Sequence, residues 1–234
     1  MGFVENGGAQ LYYEITGEGE PLVLLHGNGE DMGYFKHQIP FFSAHYKVIA
    51  IDTRAHGRSS RGTGTLDFTC FAQDVIAVLD ALQIEKAHIL GFSDGGNIAL
   101  HLVLSHPERV CSLILNGANL NPSGVKASVQ VPIVLGYAVC SAIAVFARGA
   151  RQKQEILGLM VHHPKLSPEQ LAPINTPTLV IAGAKDMIRQ SHTELIAQSI
   201  KNAKLVIVPD ASHTVAAEKP EIFNQTVLNF LSSL

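Results

Sequence analysis

The sequence predicts an α/β fold: a doubly wound, mostly parallel sheet that carries a small helical cap insertion. Three observations lead there: short runs that are wholly apolar, amphipathic stretches of helix length between them, and one long break in that alternation. A run that is apolar at consecutive positions is typical of a strand covered on both faces, as in parallel sheets. Regular alternation of such strands with helices indicates βαβ units.

The predicted buried strands are six runs rich in β-branched and aliphatic residues. They span residues 22–25, 48–51, 87–90, 113–115, 178–181 and 205–208. An earlier segment, residues 10–15, is less uniformly apolar and leads into Gly17 and Gly19. We therefore predict that this segment forms an outer antiparallel strand, which needs cover on one face only.

Three stretches between the strands are predicted helices. Residues 67–82 and 218–231 carry apolar side chains at helical spacing, which indicates one face packed against the sheet. Residues 95–105 are short and rich in small side chains, so we expect this helix to be buried against the sheet.

The alternation breaks after Asn119 and resumes at Thr178, which divides the chain into a core and an insertion. We predict a core from residues 1–119 and 173–234 and a helical cap from residues 120–172. The cap contains residues 127–147, a stretch without a charged side chain.

The uncharged stretch 127–147 has three interpretations. We favour a cap that covers a pocket as an apolar lid. The length also suits a membrane span, but Pro132 and Gly136 oppose that interpretation, and we predict no integral span. Contact with a membrane surface or a partner stays open.

Composition excludes several classes of protein. Charged residues make up 16% of the chain, against roughly 25% in a typical soluble domain, while hydrophobic residues make up 47%, which excludes disorder. The net charge is -3 and the 17 Lys and Arg residues are scattered, so no nucleic-acid partner is expected.

Three widely spaced cysteines indicate neither a disulfide framework nor a zinc site. The first residues lack a basic flank and an apolar run, so we expect a cytoplasmic protein.

The strongest local signal is the run Gly91-Phe92-Ser93-Asp94-Gly95, which follows a predicted strand and opens a predicted helix. It matches the G-x-S-x-G nucleophile elbow in the structural context that this motif requires. The sharp turn leaves no room for side chains two residues before and after the serine. It also places the Ser93 hydroxyl near a helix N-terminus, where N–H groups and positive partial charge collect.

A serine nucleophile needs a general base, and the base needs an orienting carboxylate. In this architecture the carboxylate and then the histidine follow later strands. Asp186 follows the strand at 178–181 and His213 follows the strand at 205–208. Carboxyl ends of parallel strands meet at one edge of the sheet, where ligands bind, so we predict Ser93, Asp186 and His213 as catalytic residues.

An oxyanion hole is predicted from the segment 25–29, Leu-His-Gly-Asn-Gly, at the end of the first apolar strand. We expect the backbone N–H groups of Asn28 and Asp94 to be its two donors. His26, at the strand exit, is expected to be structural. The Asp94 side chain has two interpretations: it caps its own helix or a nearby N–H, which we favour, or it faces the pocket and attracts a substrate amine.

Together these segments resemble the serine-nucleophile branch of the α/β-hydrolase superfamily, over nearly the whole chain. The segment 52–59, Asp-Thr-Arg-Ala-His-Gly-Arg-Ser, is similar to that family's D-x-R-G-H-G-x-S loop, with Ala55 in place of the first glycine. The resemblance implies a structural role for this loop. The serine nucleophile separates the chain from the haloalkane dehalogenases and epoxide hydrolases, which use an aspartate there.

The resemblance implies an esterase-like enzyme with a short cap. We expect a serine hydrolase that cleaves a small, mostly apolar carboxylic ester, thioester or amide through an acyl-enzyme, without cofactor or metal. The alternative is a hydrolase-fold protein that binds a ligand or signals, with slow or no turnover. Oligomeric state and natural substrate stay open.

Overall fold

The computed structural model describes residues 1–144 and 146–234, without the side chain of Arg148. Eight strands form its sheet: β1 (Gly2–Asn6), β2 (Ala9–Thr16), β3 (Pro21–Leu25), β4 (Lys47–Ile51), β5 (Ala87–Phe92), β6 (Val110–Asn116), β7 (Thr178–Gly183) and β8 (Ala203–Val208). Their order across the sheet is β1-β2-β4-β3-β5-β6-β7-β8. From β4 to β8 all neighbours pair in parallel, whereas β1 with β2 and β2 with β4 are antiparallel. The predicted fold class is confirmed.

The helices alternate with the strands as predicted. They are α1 (Gln38–Phe42), α2 (Phe68–Ala81), α3 (Asp94–Ser105), α4 (Ala127–Ala144), α5 (Arg148–His162), α6 (Pro168–Leu171), α7 (Gln190–Ser199), α8 (Val215–Glu218) and α9 (Pro220–Leu231). The Asp67 side chain starts α2 by accepting the N–H of Cys70 at 2.8 Å. The predicted helix 218–231 corresponds to α9, and the short α8 before it was not predicted. Pro220 separates the two, because it lacks the N–H needed to continue α8 and instead opens α9.

Two hydrophobic layers cover the sheet, one on each face. In β3, Val23 and Leu25 face the layer that includes α2 and α3. Leu22 and Leu24 face the opposite layer, which includes α1 and α9. Since successive side chains of a strand point to opposite faces, a strand between two layers must be apolar at every position. This is why the buried strands could be recognised as continuous apolar runs.

The edge strand β1 was not predicted. Its residues alternate between half-buried and exposed, because successive side chains point to opposite faces and Val4 packs against the core on one of them. Residues 10–15 belong to β2, which is antiparallel as predicted but lies second from the edge.

We call α4 and α5, which lie between β6 and β7, the cap helices. They pack on each other, and no residue of α4 is buried. Among the described residues, only the helix Ala127–Ala144 is long and apolar enough to span a membrane, judged by length and composition. The predicted domain limits, with a cap at 120–172, stay a prediction.

Candidate active site

Ser93 lies on a strained turn between β5 and α3. Its backbone has φ 53° and ψ -118°, a conformation that L-residues rarely adopt, and its N–H donates to the Asn116 carbonyl at 2.7 Å. A Cβ on Gly91 would overlap the backbone of Gly95, and a Cβ on Gly95 would overlap the carbonyl of Leu25. Both positions of the elbow therefore require glycine, as predicted.

His213 and Asp186 are in direct contact. The distance between His213 Nδ1 and Asp186 Oδ1 is 2.7 Å, and Asp186 is buried. Because the carboxylate accepts this bond, Nδ1 carries the proton and Nε2 is left as the basic nitrogen. Asp186 Oδ1 also accepts the N–H of Ile188 at 2.8 Å, and Lys126 Nζ donates to the Asp186 carbonyl at 2.5 Å.

The loop after β6 brings Ser93 and His213 into the same neighbourhood. A Cβ on Gly117 would lie 2.7 Å from His213 Cε1, so the absence of a side chain there lets the imidazole approach the sheet edge. The ring of Phe92, beside Ser93, lies 4.9 Å from the His213 ring. Within the described residues, His213 Nε2 is buried and makes no hydrogen bond, so Ser93 is not bonded to it.

His26 orients the peptide that carries the Asn28 N–H. Burial lowers the pKa of His26 to about 4, so the ring is neutral at neutral pH. Its Nε2 accepts the Thr53 N–H at 3.0 Å, and its Nδ1 donates to the Gly27 carbonyl at 2.8 Å. In a trans peptide the C=O and the next N–H point in opposite directions. His26 thus turns the Asn28 N–H away from itself, which agrees with the structural role expected for it.

The Asp94 carboxylate is held by two asparagine side chains. Asn28 Nδ2 donates to its Oδ2 at 2.8 Å, and Asn97 Nδ2 donates to its Oδ1 at 3.3 Å. The favoured interpretation of Asp94 as a cap of a backbone N–H is therefore wrong. Burial raises the pKa of Asp94 to about 6. Asn28 Nδ2 also donates to the Ile156 carbonyl in α5 at 2.9 Å, which links the elbow to a cap helix.

The space beside Ser93 is narrow, about 10 Å³. Its walls come from the elbow, the segments next to the cap and the end of α5: Ser93, Asp94, Asn119, Val125, Met160, His163, Met187 and Ile188. The prediction of residues 127–147 as the lid over Ser93 is wrong for the described residues. The amphipathic α5 covers the site instead, and the uncharged α4 lies outside it.

Sequence reasoning missed Lys126, Asn97 and Gly117. Lys126 belongs to no motif, but it is the last charged residue before the uncharged stretch. Asn97 stands one helical turn after Ser93, among residues that are otherwise small or apolar. A single polar residue in that position could have indicated a role near the serine. Within residues 1–144 and 146–234, no group of three His, Cys, Asp or Glu side chains is arranged to hold a metal.

Comparison with known proteins agrees with this architecture. A family model described as the alpha/beta hydrolase fold matches residues 20–138. A putative carbamate hydrolase RutD of Azorhizobium caulinodans is 32% identical, with 100% of this chain and 99% of that protein covered. The 3-oxoadipate enol-lactonase 1 of Acinetobacter baylyi is 28% identical, with 97% and 95% covered.

Solved structures give the same result. Est816, described as an N-acyl homoserine lactone degrading enzyme, superposes with a TM-score of 0.80 at 29% identity, covering 97% of this chain and 99% of that one. The enol-lactonase of Burkholderia xenovorans LB400 superposes with a TM-score of 0.83 at 25% identity, covering 98% and 99%. The chain therefore belongs to the alpha/beta hydrolase fold family.

Proposed function

We propose that the protein is a serine hydrolase that cleaves a small, mostly apolar carboxylic ester, thioester or amide through an acyl-enzyme. The observation that carries the proposal is the 2.7 Å contact of His213 with buried Asp186, next to Ser93 on its strained elbow. A carboxylate that fixes the tautomer of a histidine near a serine on a nucleophile elbow is the arrangement that nucleophilic catalysis requires.

The proposed reaction has two steps. His213 Nε2 removes the Ser93 proton as Oγ attacks the carbonyl carbon, and the N–H groups of Asn28 and Asp94 stabilise the oxyanion. His213 then protonates the leaving group, and water hydrolyses the acyl-enzyme. Asp186 holds the imidazole and stabilises its cation. The Ser93–His213 hydrogen bond forms when substrate binds, since such bonds are often long or absent in free enzymes.

Two features support a small and uncharged acyl group. Val125, Met160 and Ile188 make part of the wall beside Ser93 apolar. The relatives are named for carbamate, enol-lactone and acyl-homoserine-lactone substrates, which are small molecules with a carbonyl beside a heteroatom. The proposal needs no metal or cofactor and no partner beyond the substrate, and it keeps the expected cytoplasmic location.

A second candidate is a ligand-binding or signalling protein with slow or no turnover. The narrow space and the lack of a Ser93–His213 hydrogen bond favour it, because both describe a site that is not set for reaction. Fluorophosphonate labelling together with turnover separates the two candidates. A labelled protein that turns over no ester of any acyl length is the binder.

The test of the proposed function is Ser93→Ala, assayed with p-nitrophenyl esters of increasing acyl length. We expect turnover to fall by about 10⁴-fold or more, because the nucleophile and its base act as a unit. Ser105→Ala is the matched control, since Ser105 is exposed at the other end of the same helix. If Ser93→Ala hydrolyses the esters as fast as the wild type, the proposed mechanism is wrong.

A further inference from the structure

The outer face of α4 is an exposed apolar surface. Val131, Leu135, Val139 and Ile143 recur at every fourth position and form one stripe along the helix, and their exposed fractions are 56%, 62%, 58% and 48%. Phe146, just beyond the end of α4, is 88% exposed. Single exposed apolar side chains are common, but a continuous stripe with an aromatic ring at its end marks an interaction site. We call these five residues the α4 surface.

Most charged side chains near this surface are positive, although Glu155 Oε1 lies 3.9 Å from Arg151 Nε. No Asp or Glu occurs between Arg109 and Glu155. Lys126 stands directly before α4, and Arg151 and Lys153 lie in the first turns of α5, beside the other end of α4. Lys126, Arg151 and Lys153 are all exposed. Cations therefore flank both ends of the apolar stripe, although the whole chain has a net charge of -3.

We propose that the α4 surface docks on an anionic lipid membrane, with α4 lying in the plane of the interface. The stripe and the Phe146 ring enter the boundary between headgroups and acyl chains, and the flanking cations contact lipid phosphates. Apolar contact and positive charge act together here, which is the combination that makes peripheral binding to anionic lipid stable.

The same observations disfavour the other occupants. A two-fold contact with a second copy would bring the like-charged ends of two caps together. A protein partner needs hydrogen bonds across the contact, and the stripe offers aliphatic side chains only. If α4 crossed the membrane, α5 would have to cross back, because the cap helices join β6 and β7 of the same sheet. That return would place the charged side chains of Arg151, Lys153 and Glu155 in the bilayer.

The test is co-sedimentation of the full chain with vesicles of phosphatidylcholine alone and of phosphatidylcholine with a quarter of phosphatidylglycerol. We expect binding to the anionic vesicles that weakens as salt is raised. Leu135→Glu combined with Phe146→Glu should reduce binding at least tenfold. Ile222→Glu on α9, a residue 51% exposed on another element, is the matched control and should bind as the wild type does. Thermal unfolding confirms that each variant is folded.

A second pair of variants tests the charge. Arg151→Gln and Lys153→Gln should each weaken binding to anionic vesicles about fivefold and leave binding to neutral vesicles unchanged. The proposal is overturned if the wild type does not sediment with anionic vesicles, or if the double glutamate variant binds equally. It is also overturned if bound protein resists both high salt and alkaline carbonate, which indicates insertion. If light scattering shows that the wild type is a dimer and the double variant is a monomer, the surface binds a second copy of the chain.

Discussion

The elbow and the cap helices follow opposite packing rules. Every residue of β5 is buried, and so are nine of the twelve residues of α3, whereas none of α4 is. The elbow is held by backbone contacts that allow no side chain at Gly91 or Gly95. The cap meets the core through α5, by burial of Leu159 and by polar contacts such as Gln152 Nε2 to the Ala55 carbonyl at 3.0 Å. We therefore expect few substitutions to be tolerated at the nucleophile turn and many to be tolerated in the cap.

The largest expected difference between the two regions comes from one substitution, glycine to alanine, made in each of them. Gly95→Ala places a Cβ against the Leu25 carbonyl, and we expect a loss of more than about 4 kcal/mol in the free energy of unfolding. Gly149→Ala in α5 meets no atom within 4 Å, and we expect a gain of about 0.5–1 kcal/mol, because alanine favours helix over glycine. Urea denaturation measures both, and similar values for the two would refute the contrast.

Two arginine–carboxylate pairs give the next contrast. Arg54 holds Asp74 through Nε at 2.8 Å and Nη2 at 2.5 Å, with both side chains buried. Arg61 holds Glu155 of α5 through the same two nitrogens at 2.9 and 2.8 Å, with side chains 30% and 21% exposed. We expect Arg54→Gln to lower the free energy of unfolding by about 3–5 kcal/mol, since it leaves the buried Asp74 carboxylate without its cation.

Arg61→Gln should change stability by about 1 kcal/mol or less, because water solvates the remaining charge. The contacts with the carboxylate are alike in the two pairs, but Arg54 also donates to the Asn6 and Gly7 carbonyls, so the difference reports burial together with these bonds. Chemical denaturation of both variants at low and high salt is the measurement. A loss for Arg61→Gln as large as that for Arg54→Gln would mean that the cap is as well packed as the core.

The last expected effect concerns Asp94, which links the two regions, and it depends on pH. Its usual pKa is 3.8 and burial raises it to about 6, so between these values the folded state binds more protons than the unfolded state. Stability should therefore fall as pH rises from about 4 to 6 and level off above, by up to about 3 kcal/mol. Asp94→Asn removes this contribution. The difference in unfolding free energy between variant and wild type should change across that window and stay constant from pH 7 to 8.

Much of the core could be predicted because its signals are local or strictly periodic. Strands with cover on both faces had to be apolar at each position, and the glycines of the elbow had to lack side chains. The edge strand β1 escaped prediction, since a half-exposed strand carries no continuous apolar run. Lys126 and Gly117 escaped because nothing nearby in the sequence marks the groups they meet, Asp186 and His213.

The sequence by itself determined the fold class, the strained serine turn and the chain order of the two residues proposed to serve it, because each depends on neighbours along the chain. Only the tertiary structure decided which cap helix covers Ser93. Both cap helices carry enough apolar side chains to pack inward. It is α5 that lies against the core, because it makes long-range contacts there: Glu155 to Arg61, Gln152 to Ala55 and Ile156 to Asn28. With its polar contacts directed at the core, α5 left the apolar α4 facing outward.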